Sequence, residues 1–224
     1  MKWLLDPFAL VGVYLLLVTF VIYRPGLATG LSLACAVIPF QLVMLAITNG
    51  LGSVAFRSSI ILNMGFRRTL IPLAGALTES AAFASSLLLV ALMMAAYGVA
   101  PTLAVLWLPL VLAVTLLFGV ACAYGASLFG FWYPDLRALA ISAVRALFFL
   151  APGLVALADI EGRAHELLKA NPLTGLFEAY RSIFLYGHSP AAWQIVYPVL
   201  WALALLAVLL PVYVREQRQF AKML

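Results

Sequence analysis

The sequence predicts an all-α membrane protein with six transmembrane helices. Two short external helices, re-entrant or amphipathic, lie between spans five and six. Three observations carry this prediction. Of 224 residues, 66% are hydrophobic and only 9% charged, with a mean hydropathy of +1.13, whereas a soluble domain carries roughly 25% charged residues. The apolar runs reach about 20 residues without alternating at period two, the pattern of helices and not of a barrel. The basic residues are dispersed at the ends of those runs, as membrane orientation requires. That dispersion explains the net charge of +5 and removes nucleic acid as a partner. A single transmembrane domain occupies 1–224, with nothing left over for a soluble one.

The first span runs from about Pro7 to Tyr23 and is closed by "RPG". No small-residue cleavage site fits there, so the stretch reads as a span and not a cleaved signal. The second covers about Leu27 to Thr48, with Pro39 as a kink. After the loop "NGLGSVAFRSSIILNMGFRR", the third covers about Thr69 to Tyr97, and Pro101 opens a fourth that ends near Phe129. The segment "GFWYPDLRAL" separates it from a fifth, about Ala138 to Ala158. A sixth runs from about Ala191 to Val214, before "REQRQFAKML".

Charge sets the orientation. With the N-terminus inside, the inner face collects Lys2, Arg57, Arg67, Arg68, Arg137, Arg215, Arg218 and Lys222. The outer face keeps Arg24, Arg163, Lys169 and Arg181, beside the acids Asp159, Glu161, Glu166 and Glu178. The positive-inside rule then places both termini in the cytoplasm.

Residues 159–188 are accordingly external. Ile160 to Ala170 has helical character. Asn171 suits an N-cap and Pro172 the first helical position, where a missing N–H is harmless. Leu173, Leu176, Phe177, Tyr180 and Phe184 follow at three-to-four spacing on one apolar face. Glu178 and Arg181, three apart, fall on the polar side as a weak pair, and Gly187 suits the stop. The segment is either a device near the membrane surface or a plain interfacial connector.

Catalytic patterns are missing. The chain has no G-x-x-x-x-G-K-[ST], no H-E-x-x-H, no C-x-x-C and no G-x-S-x-G. His165 and His188 have no second ligand nearby, and Cys35 and Cys122 sit inside apolar runs as small packing residues. No enzyme, metal site or cofactor is expected of this chain.

Two charges fall inside spans. Glu79 lies eleven residues past Arg68, roughly 16 Å into a core about 30 Å thick. An ionisable group there costs on the order of 2.5–3.5 kcal/mol on insertion scales. Arg145 lies roughly 12 Å beyond Arg137 by the same rise. Either the two meet between spans three and five, or Arg145 snorkels to the headgroups and a protonated Glu79 bonds to Thr78, Ser80 or a neighbouring helix. The inner loops "AFRSSIILNMGFRR", with Ile60, Ile61, Met64 and Phe66, and "FGFWYPDLRAL" either dock a partner or lie on the membrane lipid.

In order, these pieces resemble the permease subunit of ABC-2 type ABC transporters, most of all the polysaccharide, O-antigen and teichoic-acid exporters. The resemblance rests on "WLLDPFALVGVYLL", similar to a W-x-L-x-x-P opening, and on "ILNMGFRRTLIPL", a basic loop running into the third span. "YPDLRAL" stands where an R-D-L-type loop is usual. "NPLTGLFEAYRSIFLYG" is similar to an N-P-L-x-x-x-x-x-x-x-R segment, and "REQRQFAKML" to a charged, aromatic-containing tail. The family's usual basic residue before the Asp is Pro134 here, and about six residues precede the first span where the family has an amphipathic helix.

The resemblance implies a homodimer in the bacterial plasma membrane, bound by two copies of a separate ATPase that carries the ATP and Mg. It implies a glycan or lipid-linked substrate. Arg57, Ile60, Ile61, Phe66, Arg67 and Arg68 become ATPase-coupling residues, with Phe131, Asp135 and Arg137 in the second loop. Asn171, Pro172, Phe177, Tyr180 and Arg181 become an external gate, and Tyr14, Phe20, Phe148 and Phe149 channel-lining candidates. Export of a drug or lipid on the same architecture stays open, as does a six-span enzyme or scaffold without an ATPase.

Overall fold

The computed structural model describes residues 29–57 and 68–223, and the first span expected at 7–23 lies outside them. Among the described residues every regular element is helical. The main helices are α1 (Thr29–Phe56), α2 (Leu70–Ala96), α3 (Leu108–Trp132, led in by a 3-10 turn from Leu103), α4 (Arg137–Leu150), α5 (Arg163–Lys169), α6 (Pro172–Phe184) and α7 (Ala192–Met223). Among the described residues, three helical stretches are long and apolar enough to cross a membrane: Gly30–Phe56, Leu103–Trp132 and Ala192–Gln217.

Helix α1 is the pillar. Leu31, Ala34, Ala36 and Ile38 are all but inaccessible, because α2, α3, α4 and α6 all pack on it. Its tightest seam is with α3 and is built from small residues, the usual device where apolar burial alone cannot drive helices together in lipid. A Cβ on Gly50 would sit 2.7 Å from the Ala123 carbonyl oxygen, and one on Gly130 would overlap the Leu51 backbone. Ser53 and Ser127 close the seam with a 2.7 Å hydroxyl pair. Helix α7 covers the other side of α3, and its outer face leaves Val196, Leu200, Leu203 and Val208 exposed.

The expected fifth span is cut short. A continuous helix over 138–158 is predicted, yet α4 ends at Leu150. Fourteen residues rise about 21 Å, short of a hydrocarbon core about 30 Å thick. The cause is Pro152, which cannot continue the ladder and forces Ala151 into an extended conformation (φ −99°, ψ 157°). Helix α1, the expected second span, also runs eight residues beyond the expected Thr48.

The helix ends gather at two poles. At one, Arg57 Nη1 donates to the Ile71 carbonyl (2.8 Å), Arg68 Nη1 to Gln217 O (2.8 Å), and Tyr124 Oη to Thr69 O (2.7 Å). Arg137 belongs to the same pole, since its Nε and Nη2 both donate to the Gly130 carbonyl (3.0 and 2.7 Å). At the opposite pole, Thr102 Oγ1 donates to Gly187 O (2.9 Å), and Tyr197 Oη to Ala170 O (2.6 Å). Helices α5 and α6 lie at that second pole.

Candidate functional site

Asn171 opens α6 as its sequence predicts. Its backbone is extended (φ −86°, ψ 124°), its Oδ1 accepts from Leu173 N at 3.0 Å, and Pro172 occupies the first turn. The rest of α6 departs from the expected half-wet helix. Every residue from Leu173 to Phe184 is buried. Leu176, Phe177 and Tyr180 point into the main core. On another side Gly175 lets α7 come close enough that a Cβ there would lie 3.0 Å from Pro198 Cγ.

The pair assigned to the polar side is buried as well. Arg181 is 0% exposed and Glu178 6%. Arg181 Nη1 meets Glu178 Oε1 at 2.7 Å and also donates to the Pro152 carbonyl at 2.9 Å. Its Nη2 donates to Gly153 O (3.1 Å), and its Nε is shared between Ser32 Oγ (3.0 Å) and Ser32 O (3.3 Å). Glu178 Oε1 accepts in addition from Leu157 N at 3.0 Å. A planar fork with five donors is suited to such a cluster of oxygens.

The expectation of a weak surface pair is therefore corrected. Helical spacing identified one apolar face, but the opposite face is enclosed by α1 and the 151–157 segment, where the ion pair neutralises itself. The pair also explains the break after α4. Carbonyls that lose their helical partners at Pro152 and Gly153 are satisfied by the guanidinium, and Asn171 Nδ2 reaches Leu150 O at 3.5 Å.

Neighbouring contacts lock the same region. Thr115 Oγ1 gives its proton to Val111 O (2.8 Å), so Tyr180 Oη is the donor in their 3.1 Å contact. Burial raises the Tyr180 phenol above its ordinary range, which keeps that donor protonated. Gln194 Oε1 accepts from Ser182 Oγ (3.2 Å) and from Ala191 N (2.9 Å), so one carboxamide both caps α7 and ties it to α6. Phe177 joins Phe40 and Phe148 in an aromatic cluster with ring centroids 5.1–6.4 Å apart.

Of the intramembrane candidates, Glu79 and Arg145 are not paired. Glu79 Oε1 accepts from Asn49 Nδ2 at 2.6 Å, and among the described residues Arg181–Glu178 is the ion pair. Helices α2 and α4 both pack on α1 and make little contact with each other, so α1 supplies Glu79's partner. Phe148 is 1% exposed and Phe149 58%. Both border a cavity of about 380 Å³ that also contains Arg145 and Gln41. Tyr14 and Phe20 lie outside the described residues.

The coupling candidates divide likewise. Ile60, Ile61, Phe66 and Arg67 lie outside the described residues. Arg57, Arg68 and Arg137 are engaged in the carbonyl contacts above. Phe131 packs against Phe220 in a tilted pair with centroids 4.5 Å apart, while Asp135 is exposed beside Trp132, Tyr133 and Leu136. Among the described residues no group of three His, Cys, Asp or Glu is placed to hold a metal.

No family model matches the chain. It is 25% identical over 166 residues, 74% of its length, to an O-antigen export system permease protein RfbA of Klebsiella pneumoniae. It is 25% identical over 190 residues, 84% of its length, to an O-antigen export system permease protein RfbA of Myxococcus xanthus. The chain is similar to these O-antigen export permeases along most of its length. It spans 62% of the length of that Klebsiella protein and 73% of the Myxococcus one.

Four residues with visible roles here escape sequence reasoning: Ser32, Gln41, Asn49 and Gln194. Gln194 carried a legible signal, standing three residues into α7 where a capping-box side chain reaches back. Gln41 carried another, as a lone carboxamide in an apolar run. Ser32 and Asn49 carried none, because their roles depend on partners far away in the chain.

Proposed function

We propose that this chain is the membrane-spanning permease subunit of an ATP-driven exporter that moves a polysaccharide outward across a bacterial plasma membrane. The observation that carries this reading is the similarity to O-antigen export permeases along 70–84% of the chain. In the full reading the chain crosses six times, the fifth crossing being made by α4 together with the non-helical stretch after it, and its termini are cytoplasmic. It works as a homodimer with two copies of a separate ATPase that binds ATP and Mg, and its cargo is a lipid-linked glycan or teichoic-acid-like polymer.

The pole carrying Arg57, Arg68 and Arg137 is then the ATPase-facing side, with exposed Trp132, Tyr133, Asp135 and Leu136 as its docking edge. The pole built on Arg181 is the outward gate. Helix α7 supports a link between them, because it contacts Arg68 through Gln217 at one end and Ser182 through Gln194 at the other. A displacement imposed at the first pole is thereby delivered to α6 by one helix. Pro198 and Pro211 interrupt its ladder and supply the places where it bends.

The test is complementation with co-purification. In a strain lacking its own O-antigen permease, this chain co-expressed with the ATPase that this reading pairs with it is expected to restore surface polysaccharide. Tagged permease is expected to retain that ATPase in detergent. A chain that inserts and folds but retains no phosphate-loop ATPase sinks the transporter reading. Retention with export of a drug or lipid but no glycan sinks the substrate assignment alone.

A further inference from the structure

One cavity lies apart from the arginine hub, between α1 and α4, with a volume of about 380 Å³, within the range of small-molecule sites. Most of its wall is apolar or aromatic: Phe40 and Met44 from α1, Phe148 and Phe149 from α4. Two polar side chains interrupt that wall. Arg145 reaches it from the exposed side of α4, and among the described residues no acid lies within ion-pair distance of it. Gln41 is only 9% exposed, and its Oε1 is buried without a hydrogen-bond partner.

Each feature makes a chemical demand. A buried carbonyl oxygen without a donor is rare and destabilising unless something supplies an O–H or N–H. A guanidinium at membrane depth calls for an anion, and phosphate oxygens suit its planar fork. Aromatic and thioether walls accept hydrocarbon. One ligand class meets all three demands: an amphiphile whose phosphate diester carries free hydroxyl groups.

We infer that the Gln41–Arg145 cavity binds the head of a hydroxylated, phosphate-bearing lipid. The phosphate accepts from Arg145, a hydroxyl donates to Gln41 Oε1, and the chain leaves along Phe149 and Met44. A bilayer lipid such as phosphatidylglycerol and a glycosyl phospholipid in transit both offer these groups. The second source rests on the export reading above; the first does not.

The full chain, purified with its ATPase where one is retained, is reconstituted in nanodiscs of phosphatidylcholine doped with phosphatidylglycerol. Bound lipid is read by native mass spectrometry after release. The expected result is retention of phosphatidylglycerol at least about fivefold above its bulk fraction. That excess should disappear in Arg145→Gln and in Gln41→Leu, persist in part in Arg145→Lys, and be untouched by Lys169→Gln on α5, whose ammonium lies over the Trp193 ring. Gln41→Leu removes an unsatisfied buried group, so it should fold at least as well as wild type, which a melting curve checks.

Adding an isoprenyl-phosphate-linked monosaccharide separates the sources. Displacement of phosphatidylglycerol that depends on Arg145 assigns the site to transported lipid, and lack of displacement assigns it to bilayer lipid. No enrichment of either amphiphile, or enrichment unchanged in both Arg145→Gln and Gln41→Leu, overturns the inference.

Discussion

Replacing Arg181 with methionine is the sharpest perturbation of this fold, since methionine keeps much of the volume and removes every donor. It leaves Glu178 as a buried charge without its counter-ion, and takes donors from the carbonyls of Pro152, Gly153 and Ser32. Removing one partner of a buried ion pair costs about 3–5 kcal/mol, and a buried carbonyl left unpaired costs about 1–3 kcal/mol more. At roughly 2–4 °C per kcal/mol for a chain of this size, the melting temperature should fall on the order of 10 °C or more.

A second substitution tests the cause. Glu178→Gln in the wild-type background should destabilise, because it strips the guanidinium of its counter-charge. In the Arg181→Met background the same change should stabilise, because it removes an uncompensated carboxylate. That reversal of sign is the signature of the pair, with a coupling energy of about 2–3 kcal/mol, at the upper end for residues in contact. The assay is thermal unfolding of detergent-purified protein, followed through its five tryptophans. A melting temperature for Arg181→Met within two or three degrees of wild type, or the same sign for Glu178→Gln in both backgrounds, refutes the reasoning.

Other substitutions probe the neighbouring contacts. Asn171→Ala should lose about 1 kcal/mol with its cap, visible in the same melt and absent if another group caps α6. Gly130→Val drives a side chain into the Leu51 backbone and should lower the yield of folded protein severely; normal yield would refute the close α1–α3 seam. Pro172→Ala and Arg181→Ala should reduce export in the complementation strain while leaving ATPase retention intact; loss of ATPase from folded protein would remove the outward-gate assignment. Arg145→Glu combined with Glu79→Arg should do no better than either single change, because Asn49 is Glu79's partner; rescue by the double would show that the charges meet.

Much of this architecture is legible in the sequence, for definite reasons. The Asn171-Pro172 cap works through two adjacent residues, and local chemistry can be read locally. The apolar runs give α1, α3 and α7 because membrane helices satisfy their own backbones. Two things were misjudged, both for want of long-range partners. Glu178 and Arg181 look like a solvated face because spacing reveals a helix's apolar side, but not what packs on the other. Pro152 stands inside the expected fifth span, and membrane helices tolerate proline when something else satisfies the freed carbonyls. That something is Arg181, which no local rule connects to Pro152.

The order in which these contacts become available bears on how the protein is made. The ribosome delivers residues from the N-terminus onward, yet Arg181 bonds to Ser32 across a separation of 149 residues. Until Arg181 emerges, Ser32 and the exposed carbonyls at Pro152 and Gly153 have no lasting partner. Helix α4, about 21 Å long by its rise, cannot hold a bilayer-spanning position alone. Helix α4 and the chain up to Phe184 should therefore settle together as one unit, with the arginine closing it. A chain truncated just before Arg181 would be left with that unit open and a ready target for membrane quality control.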